Sequence, residues 1–248
     1  MIRIKTPQEI QEMRRLGKTA SSVMRTLVRS TRAGVSTKDI ENNANALMER
    51  LGVRSAFLGY KGFPGSICVS LNEELIHGIP REDRVVKSGD LVSIDLGLYN
   101  GRFYTDMAYS FSLGRPAKIV RELIKVTRQA LLKAIKVIRP GVTLGDVSAT
   151  IQNVVEAHGF SVVRRFVGHG IGVHLHEEPE VPNFGIPGDG PKLEPGMVLA
   201  IEPMVTVESG DVDVLGDGWT VVSRDRRCCV HFEHTVAVTA RGSKILTN

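Results

Sequence analysis

Cysteine is scarce in this 248-residue chain. The three that occur, Cys68, Cys228 and Cys229, are an odd number without the spacing of a disulfide framework or a zinc knuckle, which points to a reducing compartment. Aromatic residues make up only 5%, too few for a platform on which single-stranded bases stack. No run of about 18 apolar residues occurs, which excludes a membrane-spanning helix. Met1–Lys5 leads straight into a helix signal, with no apolar stretch of a secretory leader. Nucleophile and nucleotide motifs are missing as well: there is no Gly-x-Ser-x-Gly, no P-loop and no His-Glu-x-x-His, and Gly168-x-Gly170-x-Gly172 lacks dinucleotide spacing. The net charge of +5 is spread along the chain rather than gathered in a stripe. The expectation is a mildly basic cytoplasmic protein with no membrane partner and no specific nucleic acid.

What is present is ordinary in amount and unusual in order. With 42% apolar and 24% charged residues the chain is long enough to bury a core. Thr6-Pro7-Gln8-Glu9 is a capping box with proline at the first helical position. Ile10, Met13, Leu16, Ala20, Val23 and Leu27 follow at helical spacing. A second helix opens at Ser36 with Asp39 three residues on, buries Ile40, Ala44, Leu47 and Leu51, and ends at Gly52. The phrase then returns: Arg32-Ala-Gly-Val-Ser-Thr-Lys-Asp-Ile matches Arg139-Pro-Gly-Val-Thr-Leu-Gly-Asp-Val, and Gly89-Asp-Leu-Val-Ser-Ile-Asp95 matches Gly196-Met-Val-Leu-Ala-Ile-Glu202 at the same offset. Each half reads helix, helix, strands, and Asp95 corresponds to Glu202. We expect one catalytic domain, residues 1–248, made of an internal pseudo-repeat at about 1–114 and 115–248, with a cleft between the halves where ligand sites tend to lie. Pro182–Pro195 reads as a surface loop.

The acidic residues set the chemistry. Leu91–Tyr99 and Arg102–Leu113 are strand-like and flank Asn100-Gly101, a strong two-residue hairpin signal. Such a turn places Asp95 directly opposite Asp106, with Cβ atoms about 4.5–5.5 Å apart. In the second half, a register centred on Asp217-Gly218 sets Glu202 opposite Glu233. A single acid in a strand is ordinarily solvated. Four of them, embedded in apolar runs such as Ser93-Ile94-Asp95-Leu96-Gly97 and Leu199-Ala200-Ile201-Glu202-Pro203-Met204, need a compensating charge, and a bound cation supplies it economically. His169, in what reads as the glycine-dense turn Gly168–Gly172, is the natural nitrogen ligand. Two Asp, two Glu and one His suit a pair of borderline divalent ions such as Mn, Fe, Co or Zn. If Val173–Pro179 is extended, His174 and His176 share a face; His77 stands beside a turn, and His231 reads as structural.

These residues carry a resemblance to the type I methionine aminopeptidases of bacterial form. It runs from Thr6 to Leu246 through Gly59-Tyr-Lys-Gly-Phe-Pro64, Cys68-Val-Ser-Leu-Asn-Glu73, His77-Gly-Ile-Pro80, Thr105-Asp106, Gly168-His-Gly-Ile-Gly172, His176-Glu-Glu-Pro179, Gly218-Trp-Thr220 and Phe232-Glu-His-Thr235. The resemblance implies an α+β chain with the pita-bread fold of the creatinase/aminopeptidase type: two pseudo-symmetric halves of helices packed on a curved, mainly antiparallel sheet. It implies five metal ligands, Asp95, Asp106, His169, Glu202 and Glu233, holding two divalent ions. His77, His176 and Glu202 are implied as catalytic residues. Tyr60, Phe63, Cys68 and Trp219 are implied, with His77 and His176, to contact substrate; Phe57 and Leu175 occupy further pocket positions. Asn72 falls where relatives hold a monovalent cation. The implied activity is removal of the initiator methionine from nascent proteins and peptides with a small second residue, by a monomer in transient contact with ribosomes. Two other readings stay open: a proline-specific peptidase of the same fold, disfavoured by the lack of a large N-terminal domain, and an inactive binding module, which all five intact ligands oppose.

Overall fold

The computed structural model describes residues 2–248. Capping boxes and apolar spacing produce the helices where expected. Thr6 caps α1 (Pro7–Ser30): the Glu9 N–H donates to the Thr6 hydroxyl, and the Thr6 N–H donates to the Glu9 carboxylate. Ser36 with Asp39 starts α2 (Thr37–Arg50), and Thr143 with Asp146 starts α4 (Leu144–Glu156), by the same reciprocal bonds. Between them α3 (Lys118–Val137) begins without a side-chain cap. One core expectation fails. Leu51 lies past the last turn of α2 as its C-cap and is 45% exposed, and Met48 fills the core instead.

Five strands belong to the first half: β1 (Arg54–Ser55), β2 (Cys68–Leu71), β3 (Glu74–Ile76), β4 (Leu91–Tyr99) and β5 (Tyr104–Ser112). The second half supplies β6 (Ser161–Val162), β7 (Gly168–Gly170), β8 (Glu177–Val181), β9 (Val198–Ile201), β10 (Met204–Thr206), β11 (Val212–Val214), β12 (Val221–Ser223), β13 (Cys229–His231), β14 (His234–Thr239) and β15 (Gly242–Ile245). Every ladder is antiparallel. The long strand β4 carries β1, β2 and β5, while β15-β14-β9-β7-β8 form the largest sheet of the second half. The internal offset recurs in small features: the isolated bridge Ser36 to Val85 is matched by Thr143 to Lys192. No helix or strand lies between Val181 and Val198, as expected for Pro182–Pro195.

Each half builds its own apolar core. Leu16, Val23, Leu27, Ile40 and Ala44 of α1 and α2 pack on Val69, Ile94 and Leu96. Leu123, Leu131, Val147 and Ile151 of α3 and α4 pack on Leu199, Ile201 and Val236. Each of the Val, Leu and Ile side chains among them contributes about 1.5–3 kcal/mol by leaving water. Among the described residues no helix is long and apolar enough to cross a membrane.

The first hairpin departs from the expected register. Asn100-Gly101 is not a two-residue turn. The loop spans four residues, and Tyr99 lies opposite Tyr104. The Asn100 side-chain oxygen accepts the N–H groups of Arg102 and Phe103, and Phe103 turns inward to complete burial. Asp95 therefore faces Ala108, and Asp106 faces Gly97. The slip is two residues, so both carboxyls keep the same face but stand diagonally. Gly97 also leaves room for Phe57, whose ring would lie 2.6 Å from an added Cβ. The second register is as expected: Val214 faces Val221, Met204 faces His231 and Ile201 faces His234. It brackets Glu202 and Glu233, which fall opposite each other where one ladder stops and the next begins.

Bonds from several elements, many of them buried, join the halves. Strand β3 of the first half pairs with β12 of the second. The Glu233 N–H donates to the Ala108 carbonyl at 2.9 Å. The Thr235 hydroxyl accepts the Asp106 N–H at 2.9 Å and donates to the Asp106 carbonyl at 2.7 Å. Thr247, buried near the end of the chain, accepts the Thr235 N–H at 3.1 Å.

Candidate active site

One cavity of about 270 Å³ opens between the halves. Asp95 and Asp106 reach it from β4 and β5, His169 from β7, and Glu202 and Glu233 from the break in the second-half ladders. The glycines around His169 do not make a turn, as the sequence led us to expect. They lie in strand β7 because its neighbours come too close for side chains: an added Cβ would sit 2.4 Å from the Ala200 carbonyl oxygen at Gly168, and 2.2 Å from that of Glu178 at Gly170. His169 Nδ1 lies 2.8 Å from the Gly170 carbonyl. A carbonyl can only accept, so Nδ1 holds the proton and Nε2 turns a lone pair into the cavity.

The carboxyls are crowded and dry. Burial pushes Asp95 up to about 6 and Glu202 up to about 7, against the lowering influence of His231 on the first and His169 on the second. Burial, then neighbouring carboxylates, pushes Asp106 and Glu233 well above the ordinary range. Asp95 Oδ1 and Glu233 Oε1 are buried without a hydrogen-bond partner, a costly state unless a charge or ligand satisfies them. Donor atoms of Asp106, His169 and Glu233 lie within 4.8 Å of one another. A divalent cation fits this set: hard oxygen donors, one imidazole with a free lone pair, orphaned buried oxygens and no buried cationic side chain at its centre. Glu202 lies between two imidazoles, Oε1 at 3.6 Å from His169 Nε2 and Oε2 at 3.4 Å from His231 Nε2. His231, expected to be structural, is fully buried and turned toward this carboxylate.

The rest of the cavity is mainly apolar, with two neutral imidazoles, the Tyr60 hydroxyl and Lys61. His77 takes a positive φ of 58° and meets Phe166 and Trp219 edge-on; burial lowers it to about 4. His176 stands at the exposed mouth of the cavity, its Nδ1 2.9 Å from the Tyr60 hydroxyl and its ring 4.1 Å from that of His169. Desolvation on the side facing the cavity, then His169, Lys61 and His77, lower it to about 3. Phe63 packs against Trp219, with ring centroids 5.1 Å apart. Cys68 lies beside Asp95 across the β2–β4 ladder. Burial and the carboxylates hold its thiol protonated, so it acts as an apolar wall. Phe57 and Leu175 also line the space. His174 points outward from a chain that bends rather than extends, so it shares no face with His176. Ile76, Phe166 and Val167 line the cavity without having stood out in the sequence; Phe166 follows two arginines in a short irregular stretch, with no periodicity to flag it. The Asn72 carbonyl accepts the Cys229 N–H at 2.9 Å.

Comparison with known proteins agrees with this chemistry. The profile of metallopeptidase family M24 matches residues 11–240. The chain is 45% identical over 247 residues to methionine aminopeptidase 1 of Bacillus subtilis, covering 100% of this chain and 99% of that one. It is 39% identical to the methionine aminopeptidase of Escherichia coli K12, covering 99% and 94%. Among solved structures, the methionine aminopeptidase of Thermotoga maritima superposes with a TM-score of 0.98 at 46% identity over the whole of both chains. A prolidase from Pyrococcus furiosus, at 23% identity and a TM-score of 0.81, shares the fold across 99% of this chain and 65% of its own. With its pita-bread fold and full-length likeness to these enzymes, the chain belongs to metallopeptidase family M24, in the methionine aminopeptidase branch of bacterial type I.

Proposed function

We propose that this chain removes the N-terminal methionine from peptides and nascent proteins, preferring a small second residue. The observation that carries the reading is the group of four carboxyls, Asp106 and Glu233 buried and Asp95 and Glu202 largely so, with a lone-pair imidazole beside an apolar pocket. Asp95, Asp106, His169, Glu202 and Glu233 would hold two divalent ions of the Co, Mn, Fe or Zn class. When bound, such ions lower the pKa of a water and polarise a carbonyl. Glu202 takes the proton from the attacking water and passes it to the leaving amine. With the Tyr60 hydroxyl donating to Nδ1, His176 presents Nε2–H to the oxygen on which charge develops. His77, neutral above its lowered pKa, hydrogen-bonds at the scissile amide. Phe63, Trp219, Tyr60 and Cys68 offer the methionine thioether a polarisable apolar wall. The free α-amine lies toward Asp95, which limits cleavage to the first residue. The whole chain serves as one catalytic domain, monomeric and cytoplasmic, with transient ribosome contact where its substrates emerge; the Asn72 carbonyl serves a monovalent cation.

The test is hydrolysis of Met-Ala-Ser, Leu-Ala-Ser and Ala-Pro-Ser by chelated protein with Co, Mn, Fe or Zn added back. Cleavage of the methionine peptide alone, and only with metal, is expected. Cleavage of Ala-Pro-Ser instead, or silence with every metal, would overturn the proposal.

A further inference from the structure

Lys5 and Glu177 form an ion pair that the chemistry above does not use. The Lys5 ammonium and the Glu177 carboxylate are 2.6 Å apart, with side chains 1% and 8% exposed. Removing two charges from water offsets most of their attraction, so such a pair is weak as a source of stability and better suited to fixing a geometry. The geometry here is specific. The other oxygen of Glu177 accepts the N–H of Val173 at 2.7 Å and of His174 at 3.1 Å, which closes the bend from Gly172 to His176. Gly172 has no room for a side chain, since an added Cβ would lie 2.5 Å from Lys5 Cε and 2.8 Å from Glu177 Oε1. The Gly172 carbonyl accepts the Tyr104 N–H at 2.7 Å, and the Lys5 N–H donates to the Gly196 carbonyl at 2.8 Å. The N-terminal arm is thus anchored to the second half, and its ammonium reaches into the bend that presents His176.

We infer that Lys5 and Glu177 are positioning residues for His176: through the closed Gly172–His176 bend, the buried pair holds the imidazole against the Tyr60 hydroxyl and beside His169. The inference rests on the role given to His176 in the proposed function. Lys5→Met removes the charge and keeps the length. Glu177→Gln keeps an oxygen for the two backbone amides, and carries the same test should Lys5→Met not fold.

Two readouts separate the possibilities. The first is the imidazole ¹⁵N NMR signal of His176 in metal-free protein. It moves in Lys5→Met if the pair sets the ring, and an unmoved signal overturns the inference whatever the turnover shows. The second is kcat for Met-Ala-Ser on two backgrounds. Each variant is expected to lower kcat about tenfold with KM nearly unchanged, and to cost nothing further when His176 is already Ala. The same fold loss on both backgrounds would assign the pair to the fold alone and overturn the inference. If His176→Ala itself leaves kcat intact while the NMR signal still moves, the role of His176 falls and the positioning stands.

Discussion

At the scale of the residue, each imidazole has a different job because its surroundings differ. His169 donates a hydrogen bond through Nδ1–H to the Gly170 carbonyl and keeps a lone pair on Nε2 for a cation. His176 meets a phenol and stays neutral, which makes it a hydrogen-bond donor rather than an acid. Replacing His176 by Ala is expected to lower kcat about 10²- to 10³-fold, the range for a lost donor at a developing oxyanion, with metal content by elemental analysis unchanged. Retained kcat, or lost metal, would remove that role. The four acidic positions were legible in the sequence because charged residues inside apolar strands demand a reason, and His169 was legible only as the imidazole nearest in kind to what those acids need. The ion pair behind the His176 bend was not legible. Nothing in Thr6-to-Ser30 helix patterning hints that Lys5, just before it, is buried against Glu177, since partners so distant in sequence are joined only by the fold.

At the scale of the element, patterning decided which segments became helix and strand, and tertiary packing decided their registers. The capping boxes at Thr6, Ser36 and Thr143 are local bonds and were readable as such. The Asn100 loop departs from the local turn rule because its length depends on Phe103 finding a buried place, which no local rule encodes. Glycines at every second position from Gly168 to Gly172 ordinarily mean a turn, yet Gly168 and Gly170 lie in strand β7. Here they mean crowding on both edges. Gly170→Ala should therefore cost about 1–3 kcal/mol by overpacking and weaken metal binding through displaced His169, as seen by urea unfolding and metal titration. Gly216→Ala, where an added Cβ meets nothing within 4 Å, should change neither. Equal effects at the two sites would show that packing around β7 is not the cause.

At the scale of the whole molecule, the candidate site lies on the seam, so its charge state bears on stability. Without metal, Asp95, Asp106, Glu202 and Glu233 have raised pKa values in the folded state. A raised carboxyl makes the folded state the better proton binder, so its contribution is present below the unfolded pKa and is lost as pH climbs through the folded one. His77, His176 and His234 are lowered to about 4, about 3 and about 4. They act oppositely, favouring folding as pH rises toward the ordinary histidine range. The two effects oppose each other up to about pH 6.5; above that only the carboxyls remain. Chelated protein should therefore lose stability from about pH 6.5 to 8, and added divalent metal should raise Tm more at pH 8 than at pH 6. A metal-induced rise that shrinks with pH would contradict the buried-carboxylate account.

The Thr235–Thr247 bond has a consequence in time. Proteins are made from the N-terminus onward, and Thr247 follows every other residue of the seam. Asp106 is gripped by Thr235, and Thr235 in turn by Thr247. The site draws on both halves, and the Thr247 hydroxyl that braces it lies later in the sequence than every residue that lines it. A copy whose synthesis has not yet reached Thr247 lacks the bond that braces Thr235 and, through it, Asp106.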